Sequence, residues 1–227
     1  MNSNNAFVRS LVYLFLVIAF LVLGFFIVTY AAGYTIDFKN RQVSKTGLIN
    51  LTVRTPDTMI YLDEKLVGNG SMVLRSLQPG NFKIKIKKEG FRDWSKTVKL
   101  HEQEAMTLSN IVLFRKDPPI EMYDSKLTEQ DLANLSNLDS INIMGGEIYQ
   151  NDDLVTRLST DVFGASWYTD HNHISFSSDG SFRIVDIDGN NMVELFKKDS
   201  RSYVTFASSG KFVIFEDKGQ TFRAQIR

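Results

Sequence analysis

Few side chains in this 227-residue sequence stand at a spacing that could carry chemistry. Asp186-Ile187-Asp188-Gly189-Asn190 alternates two carboxylates and a carboxamide around a glycine, as the start of a calcium loop does. The glutamate that would close such a loop at its twelfth position is missing, because Phe196-Lys197-Lys198 fills that stretch, so the segment reads as a hairpin turn. His171 and His173 could offer two imidazoles to a metal, but no third ligand accompanies them. His101 lies in a polar stretch suited to a surface turn. The sequence has no G-x-S-x-G elbow, phosphate loop, H-E-x-x-H or dinucleotide fingerprint. We therefore assign no catalytic residue, no metal ligand and no cofactor, and expect a protein that is not an enzyme.

The candidate contact residues are basic. Lys83, Lys85, Lys87 and Lys88, followed by Arg92, alternate with Phe82, Ile84 and Ile86. One face of a strand would then be apolar and the other positive. Such a row could hold an anionic envelope polymer or lipid headgroups, each basic residue near an anionic surface adding about 1 kcal/mol. It could equally be a solvated strand face whose lysines discourage edge-to-edge pairing. Trp94, close to Phe91, reads as core before it reads as a sugar-stacking platform.

These residues need elements to hold them, and the elements are written unevenly along the chain. From Leu11 to Tyr30 nearly every residue is Leu, Val, Ile, Phe or Ala, within an uncharged run from Ser10 to Ile36. As a helix that stretch is about 30 Å long, the thickness of a bilayer's hydrocarbon. Tyr13 lies near one end, with Tyr30 and Tyr34 near the other, as interfacial aromatics do. The apolar core exceeds the 7–15 residues typical of a cleaved signal peptide, so an uncleaved anchor is expected. The tail before it is too short to form a domain, and long domains translocate largely regardless of charge. The expected topology is single-pass in the plasma (inner) membrane, amino terminus cytoplasmic and the rest extracytoplasmic.

Twenty-six basic and twenty-six acidic residues cancel, so nothing in the global charge points to nucleic acid. With no cysteine, disulfides, thiolate metal sites and a cysteine nucleophile are excluded. Beyond the anchor the apolar residues alternate in short runs broken by Gly, Pro, Asn and Asp, so the extracytoplasmic part should be all-β. The runs suggest Met59, Tyr61, Leu74, Leu77, Phe82, Ile84, Ile86 and Trp94 as one sandwich core.

Five separated strings resemble the PEGA domain, in the right order and spacing. They are Pro56-Asp57-Thr58-Met59, Tyr61-Leu62-Asp63, Leu77-Gln78-Pro79-Gly80, Lys88-Glu89-Gly90-Phe91 and Trp94. The resemblance covers about 47–114 and implies a small, non-catalytic β-sandwich of cell-envelope proteins. The signature tetrapeptide departs from the family, with Asp57, Thr58 and Met59 in place of Glu, Gly and Ala. Lys116-Asp117-Pro118-Pro119 then marks a stiff boundary, and Leu127, Leu132, Leu135 and Leu138 fit a short helix capped at Thr128.

From Ile141 strands and turns return. Trp167-Tyr168-Thr169-Asp170 aligns with Phe206-Ala207-Ser208-Ser209 at a repeat of about forty residues, the period of a four-stranded blade. The strings resemble a TolB-like or WD-repeat-like β-propeller with room for about two blades. The expected division is a cytoplasmic tail to residue 10, a membrane helix at 11–32, a PEGA-like sandwich with a juxtamembrane strand at 33–114, a connector at 115–140 and propeller-like blades at 141–227. The expected role is a membrane-anchored binding or scaffold protein, with the bilayer and a protein or envelope polymer as partners. The alternatives are an accessory subunit of a membrane enzyme or transport complex, or a shortened version of a longer propeller protein.

Overall fold

Among the described residues an apolar helix is followed by twenty short strands, as the alternation dictates. The computed structural model describes residues 3–31, 33–37, 42–124, 140–198 and 204–227. The expected helix capped at Thr128 lies outside them. Two compact units divide the chain: Met1–Asn50, Val73–Phe82 and Val98–Thr107 form one, and Leu51–Met72, Lys83–Thr97 and Leu108–Arg227 form the other.

Helix α1 runs Ser3–Ala31. Its Val8–Thr29 segment, 22 residues with no Asp, Glu or Lys and a single Arg, could span a membrane at about 33 Å of rise. Its apolar side chains from Val8 to Val28 are exposed around the whole helix instead of forming one stripe, which suits lipid on every side. A two-stranded ribbon follows, β1 (Tyr34–Asp37) with β2 (Gln42–Lys45). The single juxtamembrane strand expected from the sequence is thus a hairpin.

Next come β3 (Gly47–Val53), β4 (Met59–Leu62), β5 (Lys65–Asn69), β6 (Met72–Leu77), β7 (Gly80–Lys87), β8 (Trp94–Leu100) and β9 (Ala105–Ile111). They form one sheet ordered β6-β3-β9 and another ordered β5-β4-β7-β8. In the first unit Ile49, Leu74, Val98 and Leu100 are buried, and in the second Leu51, Ile60, Ile84, Ile86, Phe91 and Trp94 are. Turn chemistry supplies the reversals. Asp63 and Glu64 both take positive φ in the two-residue loop between β4 and β5, as type I′ geometry requires. Asp57, at φ 53, provides the left-handed residue in the tetrapeptide that lacks its glycine.

The facing of β4 differs from the sequence reading. Met59 is 41% exposed and Tyr61 half-buried, whereas Ile60 is fully buried. The register explains this. Antiparallel partners share a face, and β4 sets Ile60 opposite Ile86 and Leu62 opposite Ile84, leaving Met59 with Lys87 and Tyr61 with Lys85. Leu74, Ile84, Ile86 and Trp94 are buried as expected, while Leu77 and Phe82 are half-buried.

The rest of the second unit is built from meanders. Strands β10 (Ile120–Met122), β11 (Ile141–Met144), β12 (Glu147–Gln150), β13 (Asp153–Arg157), β14 (Val162–Trp167), β15 (His173–Ser178), β16 (Ser181–Asp186), β17 (Val193–Lys197), β18 (Val204–Ala207), β19 (Phe212–Asp217) and β20 (Gln220–Gln225) form three antiparallel sheets. These are β11-β12-β13, β14-β15-β16-β17 and β10-β20-β19-β18, so the described strands of 141–227 enter three sheets, one of them shared with β10, where about two blades were expected. The forty-residue alignment starts at β14 and so missed β11–β13. The proline-containing segment also departs from a plain connector. Pro118 and Pro119 hold the backbone extended, and the residues that follow form β10, whose Ile120 faces Ala224 of β20.

The middle sheet is covered on both faces, so β15 is buried at every residue. One face joins Ile174, Phe176 and Val185 to Ile141, Ile148 and Val162. The other joins Phe182, Ile184 and Leu195 to Phe114, Tyr168, Val213 and Phe215. Phe196 stacks on Phe215 at 4.5 Å, and Tyr168 meets Phe206 edge-on at 5.1 Å. The Tyr168 hydroxyl donates to the Gly210 carbonyl at 2.9 Å, so the ring is buried with its polar tip satisfied.

Candidate functional site

The five basic residues singled out in the sequence lie on or just beyond β7, and acids lie beside the lysines. Lys83 Nζ is 3.0 Å from Glu64 Oε1, in a loop that also binds the strand through the Lys83 N–H and Asp63 Oδ1. Lys85 and Lys87 share Asp93 Oδ2, at 3.3 and 3.7 Å. Lys88 donates to the Pro56 carbonyl at 2.7 Å, lies 3.9 Å from Asp57 and covers the Phe91 ring. Lys87 sits over Tyr61. Arg92 is exposed and fixed by its backbone N–H, which donates to the Phe114 carbonyl at 2.8 Å. The pairs shift their members in opposite directions. The hydrogen bond from Lys83 holds Glu64 below its ordinary value, and the bond to Asp93 holds Lys85 above its own. Ion pairs this exposed contribute little to stability, but they lower the net charge an anion would meet. The sequence reading saw the lysines and missed Glu64, Asp93 and Asp57, which sit in turns two or more residues away.

A second cluster gathers four residues noticed for unrelated reasons: Trp94, His173, Asp186 and Asp188. His173 is buried, and each of its ring nitrogens faces a carboxylate. Nδ1 lies 3.0 and 2.8 Å from the two oxygens of Asp170, and Nε2 lies 3.2 Å from Asp186 Oδ1. Burial alone would lower the imidazole's pKa, but hydrogen bonds to Asp170 and Asp186, reinforced by their charges, raise it to about 9. Burial likewise pushes Asp170 up, and its bond to His173 outweighs that and brings it below the usual carboxylate range. At neutral pH the cluster therefore holds an imidazolium between two carboxylates.

Asp186 Oδ2 extends the cluster, accepting from Trp94 Nε1 at 2.9 Å and from Asn191 Nδ2 at 2.8 Å. Asn191 Oδ1 in turn accepts the Ser95 backbone N–H at 2.9 Å, covering a donor of the edge strand β8. Lys96 closes on Asp188 at 2.6 Å. Burial raises the Asp188 carboxyl, but the Lys96 bond and those from Asn190 prevail and lower it. The turn itself is set by Gly189, at φ 79, where an added Cβ would lie 2.1 Å from the Val155 carbonyl oxygen.

Thus the residues that resembled a calcium loop and a metal-binding histidine pair form an ion-pair and hydrogen-bond network. His171 does not join it; its ring lies 5.7 Å from that of Trp167. Trp94 is buried and spends its N–H on Asp186, so it is no exposed stacking platform. Its link to Asp186 spans 92 residues of sequence, which is why local spacing gave no hint of it.

Residues 47–113 match the PEGA domain family, in agreement with the strings from Pro56 to Trp94. No curated protein matches the chain.

Proposed function

We propose that this protein is a membrane-anchored, non-catalytic component of the cell envelope that displays its β modules outside the cytoplasm for binding or scaffolding. The amino terminus is then cytoplasmic and α1 is an uncleaved anchor in the plasma membrane. The observation that carries the reading is the succession, within one chain, of a helix apolar on every side and a PEGA match beginning sixteen residues after that helix ends. The non-catalytic part is supported by the chemistry of the buried histidine. Both His173 nitrogens are already engaged by carboxylates, so the imidazole has no lone pair to offer as a base.

We read the three stacked sheets as blades of an incomplete propeller, supported by their meander order and by β10 supplying the fourth strand beside β20. The sheet β11-β12-β13 carries exposed Ile143, Met144 and Leu154, a surface suited to protein contact. That surface favours the second reading, an accessory subunit of a membrane complex. Co-purification in mild detergent tests the two. Retention of an envelope polymer is expected for a binding protein, and a stoichiometric membrane protein for a subunit. A chain that purifies alone from native membranes, with neither, overturns both.

A further inference from the structure

The hairpin β1-β2 decides how far the start of the PEGA region stands from the membrane helix, and every group that sets this distance belongs to the unit containing α1. Helix α1 ends at Ala31, and Gly33, at φ 76, turns the chain in the left-handed conformation that commonly closes a helix. The backbone then runs out along β1 and returns along β2, with Asp37 opposite Gln42 and Tyr34 opposite Lys45. Thr46 closes the base twice on one acceptor. Its backbone N–H donates to the Gly33 carbonyl at 2.8 Å, and its hydroxyl donates to the same oxygen at 3.0 Å. Gly47 lies sixteen residues beyond Ala31, a stretch that would reach about 55 Å if extended. The hairpin cancels that reach and holds Gly47 within about 16 Å of the end of α1.

A turn of the β region comes with it. The Leu48 N–H donates to the Glu104 carbonyl at 2.9 Å. Gly47 packs so closely there that an added Cβ would lie 2.8 Å from the same carbonyl oxygen and 3.0 Å from the Leu100 side chain. The turn is braced by its own bonds: the His101 N–H donates to Glu104 Oε2 at 2.7 Å, and the Glu104 N–H to the His101 carbonyl at 3.3 Å. His101, Glu102 and Gln103 are exposed. On the hairpin, Lys45 Nζ lies 5.3 Å from the centre of the exposed Tyr34 ring. A phenol beside an ammonium, three residues past a spanning helix, suits the headgroup region.

We propose that the phospholipid headgroup layer around α1 is the partner of this end of the PEGA region. Tyr34 and Lys45 lie among the headgroups, and the turn from His101 to Glu104 rests at their level. The hairpin thus acts as a short, fixed stand-off where a linker of the same length would be a loose tether. Lys45 and Lys99 are balanced by Glu102 and Glu104, so the hairpin sets the position and net charge does not. The proposal rests on the reading of α1 as a membrane anchor and goes beyond it by stating where the folded part begins.

The test uses the full chain, which has no cysteine, reconstituted into vesicles of phosphatidylcholine with phosphatidylglycerol and carrying a bimane fluorophore on Glu102→Cys. Lipid spin-labelled at its headgroup should quench the bimane at least twofold, and lipid spin-labelled deep in its acyl chain should quench it less. A Gly/Ser insertion of about twelve residues between Thr46 and Gly47 releases the β region from the hairpin. It should cut headgroup quenching at least twofold, with unchanged tryptophan emission showing that the β region is still folded. Molar salt, which screens adsorption driven by charge, should leave the quenching of the chain without the insertion in place. Absence of headgroup quenching in a chain that floats with the vesicles, equal quenching in the folded insertion variant, or loss of quenching in salt overturns the proposal. The first and last of these use the chain without the insertion, so they decide even if the insertion disturbs folding. A chain that does not float with the vesicles overturns the anchor itself, so the two failures are distinguishable.

Discussion

Replacing His173 with glutamine should convert a stabilising cluster into a repulsive one, and the pH profile should reveal it. In the folded chain the imidazole's pKa is held at about 9 by Asp170 and Asp186, against an ordinary 6.5 when unfolded. A group whose folded pKa is raised contributes its stability in full below the unfolded value and loses it as pH rises through the folded one. The contribution is therefore complete below about pH 6.5 and lost toward and beyond pH 9. The gap corresponds to about 3 kcal/mol. Glutamine keeps most of the volume but no charge, leaving two buried carboxylates facing each other. Breaking a buried pair in this way costs about 3–5 kcal/mol near neutral pH. The cost should shrink on acidification, because protonating either carboxylate relieves the repulsion. The assay is urea unfolding of the full chain in mild detergent from pH 5 to 9.5, followed by tryptophan fluorescence, since Trp94 donates directly to Asp186. Wild type should weaken by about 3 kcal/mol between pH 6.5 and 9.5, and H173Q should lack that fall. A flat wild-type profile, or the same fall in H173Q, would refute the charged cluster.

Three further outcomes follow from the packing. Ile60→Ala should destabilise by about 2–5 kcal/mol and Met59→Ala by less than about 1, because the register buries only the former; denaturant midpoints compare them, and equal costs would return Met59 to the core. Gly189→Ala should lower the melting temperature by several degrees, since its Cβ would meet the Val155 carbonyl at 2.1 Å in a left-handed turn; an unchanged melt would contradict that turn. Tyr168→Phe should cost about 1 kcal/mol by stranding the Gly210 carbonyl, measured by the same melt, and a neutral result would mean that the carbonyl finds another donor.

The strands were legible in the sequence wherever turn chemistry and alternation agreed. Asp63-Glu64, Asn151-Asp152 and Asp179-Gly180 all take the positive φ that their residue types favour. The facing of β4 was not legible, because Met59, Ile60, Tyr61 and Leu62 are all apolar enough to face inward, and only pairing with β7 decides. Similarly β15 mixes His, Ile, Ser and Phe, which reads as a half-exposed strand until a sheet is seen on each face. The site was half visible. Asp186, Asp188, His173 and Trp94 stood out as residue types, yet their common destination depends on contacts across 92 positions, beyond any local pattern.

The central claim is that α1 anchors the chain with its β modules outside the cytoplasm, and the absence of cysteine makes it directly measurable. Single cysteines introduced at Asn4 and at the exposed Arg75 should be treated with a membrane-impermeant maleimide on intact spheroplasts. The account expects Arg75→Cys to label in intact spheroplasts, and Asn4→Cys only after lysis. Labelling of Asn4→Cys with protection of Arg75→Cys would contradict it.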